Sequence, residues 1–233
     1  MVHLVAGLAT CALVFPLASK GLRERLTRRW SGKLLGICRV TVEQAEGAPV
    51  LEHALIVANH VSWLDIFVIN ALHPCRFVAK AEIRAWPVLG WLAAGAGTVF
   101  IARGNRREVR HILKGLGAVV QQGESGGLVP EGTTSIQGDV LPFHANLFEA
   151  AIDAKVAVQP YALAYLRADG GYHPSVEYVG ETTFVDSLFA ILQGPPVRAR
   201  LLPLPPIDAT GAHRRELAEQ AHAAVAEALQ TDS

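Results

Sequence analysis

The sequence predicts an α/β fold in which a largely parallel mixed sheet is flanked by helices, and three observations lead there. Short apolar runs of strand length recur along the chain, helical periodicity separates several of them, and 51% apolar composition over 233 residues supplies one sizeable core. Strands alternating with helices imply parallel strands joined by helical crossovers. The 21 basic and 21 acidic side chains cancel, so no global field draws the molecule to nucleic acid. A mean hydropathy of +0.28 is high for a freely soluble protein. Cys11, Cys38 and Cys75 form an odd set without metal-ligand spacing, which argues against a disulfide framework or a zinc site and fits a reducing compartment.

The first segment, Leu4 to Ala18, carries no charge, yet its 15 residues fall short of the roughly 20 that a membrane-spanning helix needs. Ser19 to Leu35 then carries Lys20, Arg23, Arg25, Arg28, Arg29 and Lys33 against Glu24, with Leu22, Leu26, Trp30 and Leu34 recurring every fourth position. That is a basic amphipathic helix whose cations suit anionic headgroups and whose Trp30 suits the interface. Residues 1–35 are therefore expected to form a membrane-associated helical hairpin lying partly in one leaflet, with 36–233 as the second unit. An apolar helix buried in the core and a secretory signal are the other readings. The latter lacks a positive charge ahead of the apolar run.

Beyond residue 36 the strands follow in order. Arg39–Glu43 alternates as a half-buried strand does, and Ala54–Ala58 is a continuous apolar run suited to burial on both faces. Arg76–Ala79, Thr98–Ala102, Gly127–Pro130 and Val156–Leu166 also read as strands, and Trp63–Leu72 as a helix. The clearest helix starts at Asn105, an N-cap with Glu108 as its capping-box partner; Val109, Ile112, Leu113, Leu116 and Val120 line one face and Gly123 closes it. Pro195 to Pro206 holds five prolines, which predicts an edge strand or extended loop rather than a central strand. Leu217, Ala221, Val225 and Leu229 mark a final amphipathic helix.

The chemistry-bearing residues sit at strand ends, where open α/β sheets place ligands. Asn59-His60 closes an apolar strand and Asp65 opens the following helix. Five positions apart on one helix they would point roughly 140° away from each other. With His60 in the turn, the imidazole can fold back so that one ring nitrogen donates to Asp65 and the other remains free as a base. Ser62 and Asp65 equally fit a capping box at the helix start. Arg103, after the strand through Ala102, offers a fork suited to phosphate, and Glu131-Gly132-Thr133-Thr134-Ser135 sets a carboxylate and three hydroxyls on a short loop. Each of these alone also reads as an ordinary turn or surface charge.

Taken together and in this order, Asn59-His60-(four residues)-Asp65, Phe100-Ile101-Ala102-Arg103, Pro130-Glu131-Gly132-Thr133 and Gln159-Pro160 resemble the PlsC-type glycerolipid acyltransferase family, as do Phe77-Val78-Ala79-Lys80 and Trp86-Pro87. The resemblance implies transfer from an acyl carrier protein or coenzyme A thioester to the sn-2 hydroxyl of 1-acylglycerol 3-phosphate, giving phosphatidic acid for phospholipid synthesis. It further implies His60 as general base, Asp65 as its partner, Arg103 and Lys80 on the acceptor phosphate, and Glu131, Gly132 and Thr133 at the acceptor site. No metal or organic cofactor is expected, since the thioester is already activated. The expected partners are a phospholipid surface, a lysophospholipid acceptor and the thioester carrier. The expected location is the cytoplasmic face of the bacterial inner membrane, monotopic or anchored by the N-terminal segment. Another lysolipid acceptor, such as lyso-ornithine lipid, is the rival reading. A Ser125 hydrolase is a further one, because Gly123-Glu124-Ser125-Gly126-Gly127 matches a nucleophile elbow and Asp208 and His213 follow in order. Its context is wrong, with a helix before and a strand after.

Overall fold

The computed structural model describes residues 2–85, 89–101, 115–118, 120–121 and 123–231. Among the described residues seven strands form one sheet: β1 (Val40–Gln44), β2 (Leu55–Ala58), β3 (Arg76–Lys80), β4 (Val99–Ile101), β5 (Gly126–Leu128), β6 (Val158–Leu166) and β7 (Val197–Pro203). Their spatial order is β1-β7-β6-β2-β5-β3-β4, and every neighbouring pair is parallel except β6 and β7. The largely parallel mixed sheet read from the sequence is thus present, with β2 at its centre.

Period-two alternation sorts the strand residues onto two faces. Leu55 and Val57 of β2, with Ala162, Ala164 and Leu166 of β6, pack against a helix that includes residues 115–118 and 120–121 (α5), against α6 (Glu149–Ala154) and against α8 (Arg214–Thr231). Ile56, Ala58, Tyr161, Leu163 and Tyr165 face the other way, toward α2 (Lys20–Ile37), α3 (Asp65–Leu72) and α7 (Phe184–Gln193). All nine residues of β6 are buried, as expected of a strand covered on both faces. The start of the Asn105 helix lies outside the described residues, but Leu116 and Val120 of its expected apolar face are buried.

β7 departs from expectation. It is not an edge strand: it pairs with β1 on one side and β6 on the other, leaving β1 and β4 at the edges. The five prolines explain both the misreading and the outcome. Pro195 and Pro196 precede the strand, Pro203 is its last residue, and Pro205 and Pro206 follow, so Val197 to Leu202 keep every N–H the two ladders need.

The N-terminal segment consists of α1 (Val2–Ala9), a π turn over Thr10–Val14 and a 3-10 turn over Phe15–Leu17, after which α2 folds back alongside. The His3 ring stacks on Trp30 at 4.7 Å, the Trp30 indole N–H donates to the His3 carbonyl, and a Cβ on Gly7 would collide with the same indole. The buried line of α2 is Ser31 and Leu35, one position off the Leu22–Leu34 stripe, so Leu22 is exposed while Leu26, Trp30 and Leu34 are half-buried. No described helix is long and apolar enough to cross a membrane.

Candidate active site

Because β2, β5, β3 and β4 run parallel, their C-terminal ends share one edge of the sheet, and the loops that leave them meet there. His60 lies two residues beyond β2 and Glu131 three beyond β5, its immediate neighbour. The long strand β6 runs parallel to β2 in register Ala58↔Tyr161 and continues for five residues past that point. Asn59 uses this overhang. Its side-chain amide donates to the Leu163 carbonyl at 2.9 Å and its side-chain oxygen accepts the Leu163 N–H at 2.8 Å, so a side chain with one donor and one acceptor face extends the ladder by one more rung.

The turn that follows brings His60 and Asp65 together. His60 Nδ1 lies 2.7 Å from Asp65 Oδ2, and Nε2 has no protein partner among the described residues. The His60 side chain is 17% exposed, whereas Asp65 is fully buried. Burying a carboxylate is costly unless its lone pairs are satisfied, and here four donors converge on it. Oδ2 accepts the N–H groups of Val61 at 2.8 Å and Ser62 at 3.1 Å besides the imidazole, and Oδ1 accepts the Tyr165 hydroxyl at 2.7 Å. The capping-box alternative is therefore met only in half. Asp65 does reach back to the backbone of the turn, but the Ser62 hydroxyl caps nothing and is buried without a partner among the described residues.

His60 is also held by its backbone. Its N–H donates to Glu131 Oε1 at 2.7 Å, and its carbonyl accepts the Ser135 N–H at 2.8 Å. The other Glu131 oxygen accepts the Leu141 N–H at 2.9 Å, so the carboxylate bridges two loops. Glu131 is 4% exposed; burial pushes its carboxyl above the ordinary glutamate range, and the Leu141 and His60 amides oppose that. Gly132 completes the turn at φ +71°, and Thr133 is exposed. Lys80 ends β3 on the same edge, but its side chain, like the whole of Arg103, lies outside the described residues, as do Trp86 and Pro87.

Tyr165 was invisible in the sequence as a site residue. It stands 100 positions from Asp65, and only the parallel register of β6 on β2 brings them together. The Ser125 constellation does not form. Ser125 Oγ donates to the Glu52 carbonyl, Asp208 caps its own turn at Thr210, and the His213 ring accepts the Arg215 N–H. Glu124, beside the serine, is engaged by a bidentate ion pair with Arg76.

An imidazole anchored at Nδ1 and open at Nε2, at the C-terminal edge of a parallel sheet, can take and return a proton. Comparison with known proteins gives that arrangement a family. The acyltransferase family model matches residues 39–164, from β1 through most of β6. Lyso-ornithine lipid O-acyltransferase of Pseudomonas aeruginosa is 41% identical over 208 residues, 89% of this chain and 80% of that protein. The 1-acyl-sn-glycerol-3-phosphate acyltransferase of Neisseria gonorrhoeae is 46% identical over 127 residues, 53% of this chain and 50% of that one. Among solved structures, the 1-acyl-sn-glycerophosphate acyltransferase PlsC of Thermotoga maritima shares the fold with a TM-score of 0.60, covering 95% of this chain and 88% of that one at 22% identity. With the family model covering more than half of the chain and a relative matching nearly nine-tenths of it, the protein belongs to the acyltransferase family.

Proposed function

We propose that this acyltransferase moves a fatty acyl group from an acyl carrier protein or coenzyme A thioester to the hydroxyl of a lysophospholipid-type acceptor, with His60 as general base. The observation that carries the reading is the 2.7 Å contact between His60 Nδ1 and Asp65 Oδ2, which leaves Nε2 directed away from the carboxylate. Nε2 takes the proton of the acceptor hydroxyl as its oxygen attacks the thioester carbonyl and the C–O bond forms. The tetrahedral intermediate then expels the thiolate as the C–S bond breaks, and the imidazolium returns the proton to sulfur. Asp65 stabilises the imidazolium while it exists. No covalent enzyme intermediate, metal or organic cofactor enters this sequence.

Lys80 and Arg103 are assigned to the anionic group of the acceptor, and Glu131, Gly132 and Thr133 to the wall of its site. The reaction would take place at the cytoplasmic face of a bacterial inner membrane. The exposure of Val2, Val5, Leu13 and Leu17 on the N-terminal hairpin supports a lipid-facing role for residues 1–35. Lyso-ornithine lipid is the acceptor proposed first, a reading supported by the relative of that name, which matches 89% of the chain against 53% for the 1-acyl-sn-glycerol-3-phosphate acyltransferase. The second reading is 1-acylglycerol 3-phosphate, acylated at sn-2 to phosphatidic acid. It rests on the sequence motifs from Asn59 to Pro160.

The test supplies membranes holding the protein with each lysolipid and each acyl donor in turn, and identifies the acylated product. Wild type should acylate one of the lysolipids, and His60→Ala should lower that rate by roughly a thousandfold or more while the protein still folds. Substantial transfer by His60→Ala would remove the base assignment.

A further inference from the structure

His60 is one side-chain partner of Asp65, and the carboxylate has a second. Tyr165 is fully buried in β6, with Leu163 and Tyr161 on the same face of the sheet. Its hydroxyl donates to Asp65 Oδ1 at 2.7 Å, while Oδ2 is occupied by the His60 ring and two backbone amides. The tyrosine is itself held at its backbone, where its N–H donates to Gln137 Oε1 at 2.7 Å, and the Gln137 amide in turn donates to the His173 carbonyl at 3.0 Å. Burial keeps the phenol protonated well above the ordinary tyrosine range, so it faces Asp65 as a donor at every working pH.

We propose that Tyr165 is a positioning residue of the acyl transfer: it fixes the rotation of the Asp65 carboxylate so that Oδ2 faces His60, and it draws part of the carboxylate's charge to Oδ1. This rests on the reading of His60 as base. Two consequences separate it from a role in packing. Without the hydroxyl, Oδ1 is an unsatisfied buried oxygen, and the carboxylate loses one of the four bonds that fix its rotation. Charge no longer shared with the phenol is left facing the ring and strengthens its pairing with the imidazolium.

Tyr165→Phe keeps the buried ring and removes one oxygen. It should lower kcat roughly tenfold with KM little changed, and move the acidic limb of the kcat/KM profile upward by about half a pH unit. A limb that coincides with wild type, or moves down, overturns the proposal, as does a loss confined to KM. In an Asp65→Asn background, adding Tyr165→Phe should cost almost nothing further, because the phenol acts through the carboxylate; a full additional loss contradicts it. Should Tyr165→Phe fail to fold, 3-fluorotyrosine at position 165 retains ring and hydroxyl as a stronger donor, and the limb should then shift downward, an unmoved limb counting against the proposal. His60→Ala measured alongside keeps the two ideas apart. Activity in that variant defeats the base assignment, whereas an inactive His60→Ala with an unmoved Tyr165→Phe profile defeats only the role of the tyrosine.

Discussion

Glu131 shows how a carboxylate beside the proposed base can act through the backbone. Its two oxygens separately accept the N–H groups of His60 and Leu141, and a carboxylate, which only accepts, is the side chain that can do both. Glu131→Gln keeps the size but turns one oxygen into a donor, so one of the two part-buried amides loses its acceptor. The expected cost is about 1–3 kcal/mol of stability, read as a lower urea midpoint, together with slower transfer because His60 loses its anchor. A variant with an unchanged midpoint and rate would show the bridge to be dispensable. At this scale legibility followed distance along the chain. His60 and Asp65 are five positions apart across a strand end and a helix start, so local rules were enough to expect one ring nitrogen on the carboxylate, and the structure makes it Nδ1. The bridge from Glu131 to His60 spans 71 positions and the Tyr165 contact 100, and no local pattern encodes either.

Strands and helices were legible where hydrophobic period and chain length agreed. β2 read correctly as a run buried on both faces, β6 as a strand, and the last helix as amphipathic. β7 did not, because proline was counted over a window when its effect depends on which residues must donate to a ladder. The rung made by Asn59 was also hidden, since its meaning depends on β6 outrunning β2. It yields a graded expectation. Asn59→Ala orphans the Leu163 N–H and carbonyl, at about 1–3 kcal/mol for each buried group. Asn59→Asp should be worse than alanine, since it sets a carboxylate oxygen against the Leu163 carbonyl. Urea unfolding of the two variants checks the order, and equal midpoints would mean that the rung adds nothing beyond the turn.

For the whole molecule, α2 ties the N-terminal hairpin to the body through α3. The division expected before residue 36 falls near the end of α2, where Ser31 and Leu35 are already buried and Leu35 belongs to the core cluster that includes β1 and α3 residues. Removing residues 2–18 is therefore the sounder test of lipid binding than removing 1–35, since α2 keeps its packing against α3. The shortened protein is expected to pass from the membrane pellet to the supernatant and to lose flotation with anionic vesicles; unchanged sedimentation would locate the membrane contact elsewhere. Trp30 fluorescence should shift to the red as the stacked His3 ring departs.

Strand β6 also acts as a ruler whose graduations come in twos. Leu163 supplies the backbone rung for Asn59 and Tyr165 the hydroxyl for Asp65, and both side chains look to the same layer because an even number separates them. Deleting one residue between them would turn the phenol into the opposite layer, against α8, even if every other strand stayed in place. The strand can therefore change length here only by pairs, and a single-residue deletion, harmless by volume or hydrophobicity, would break parity and leave Asp65 one donor short.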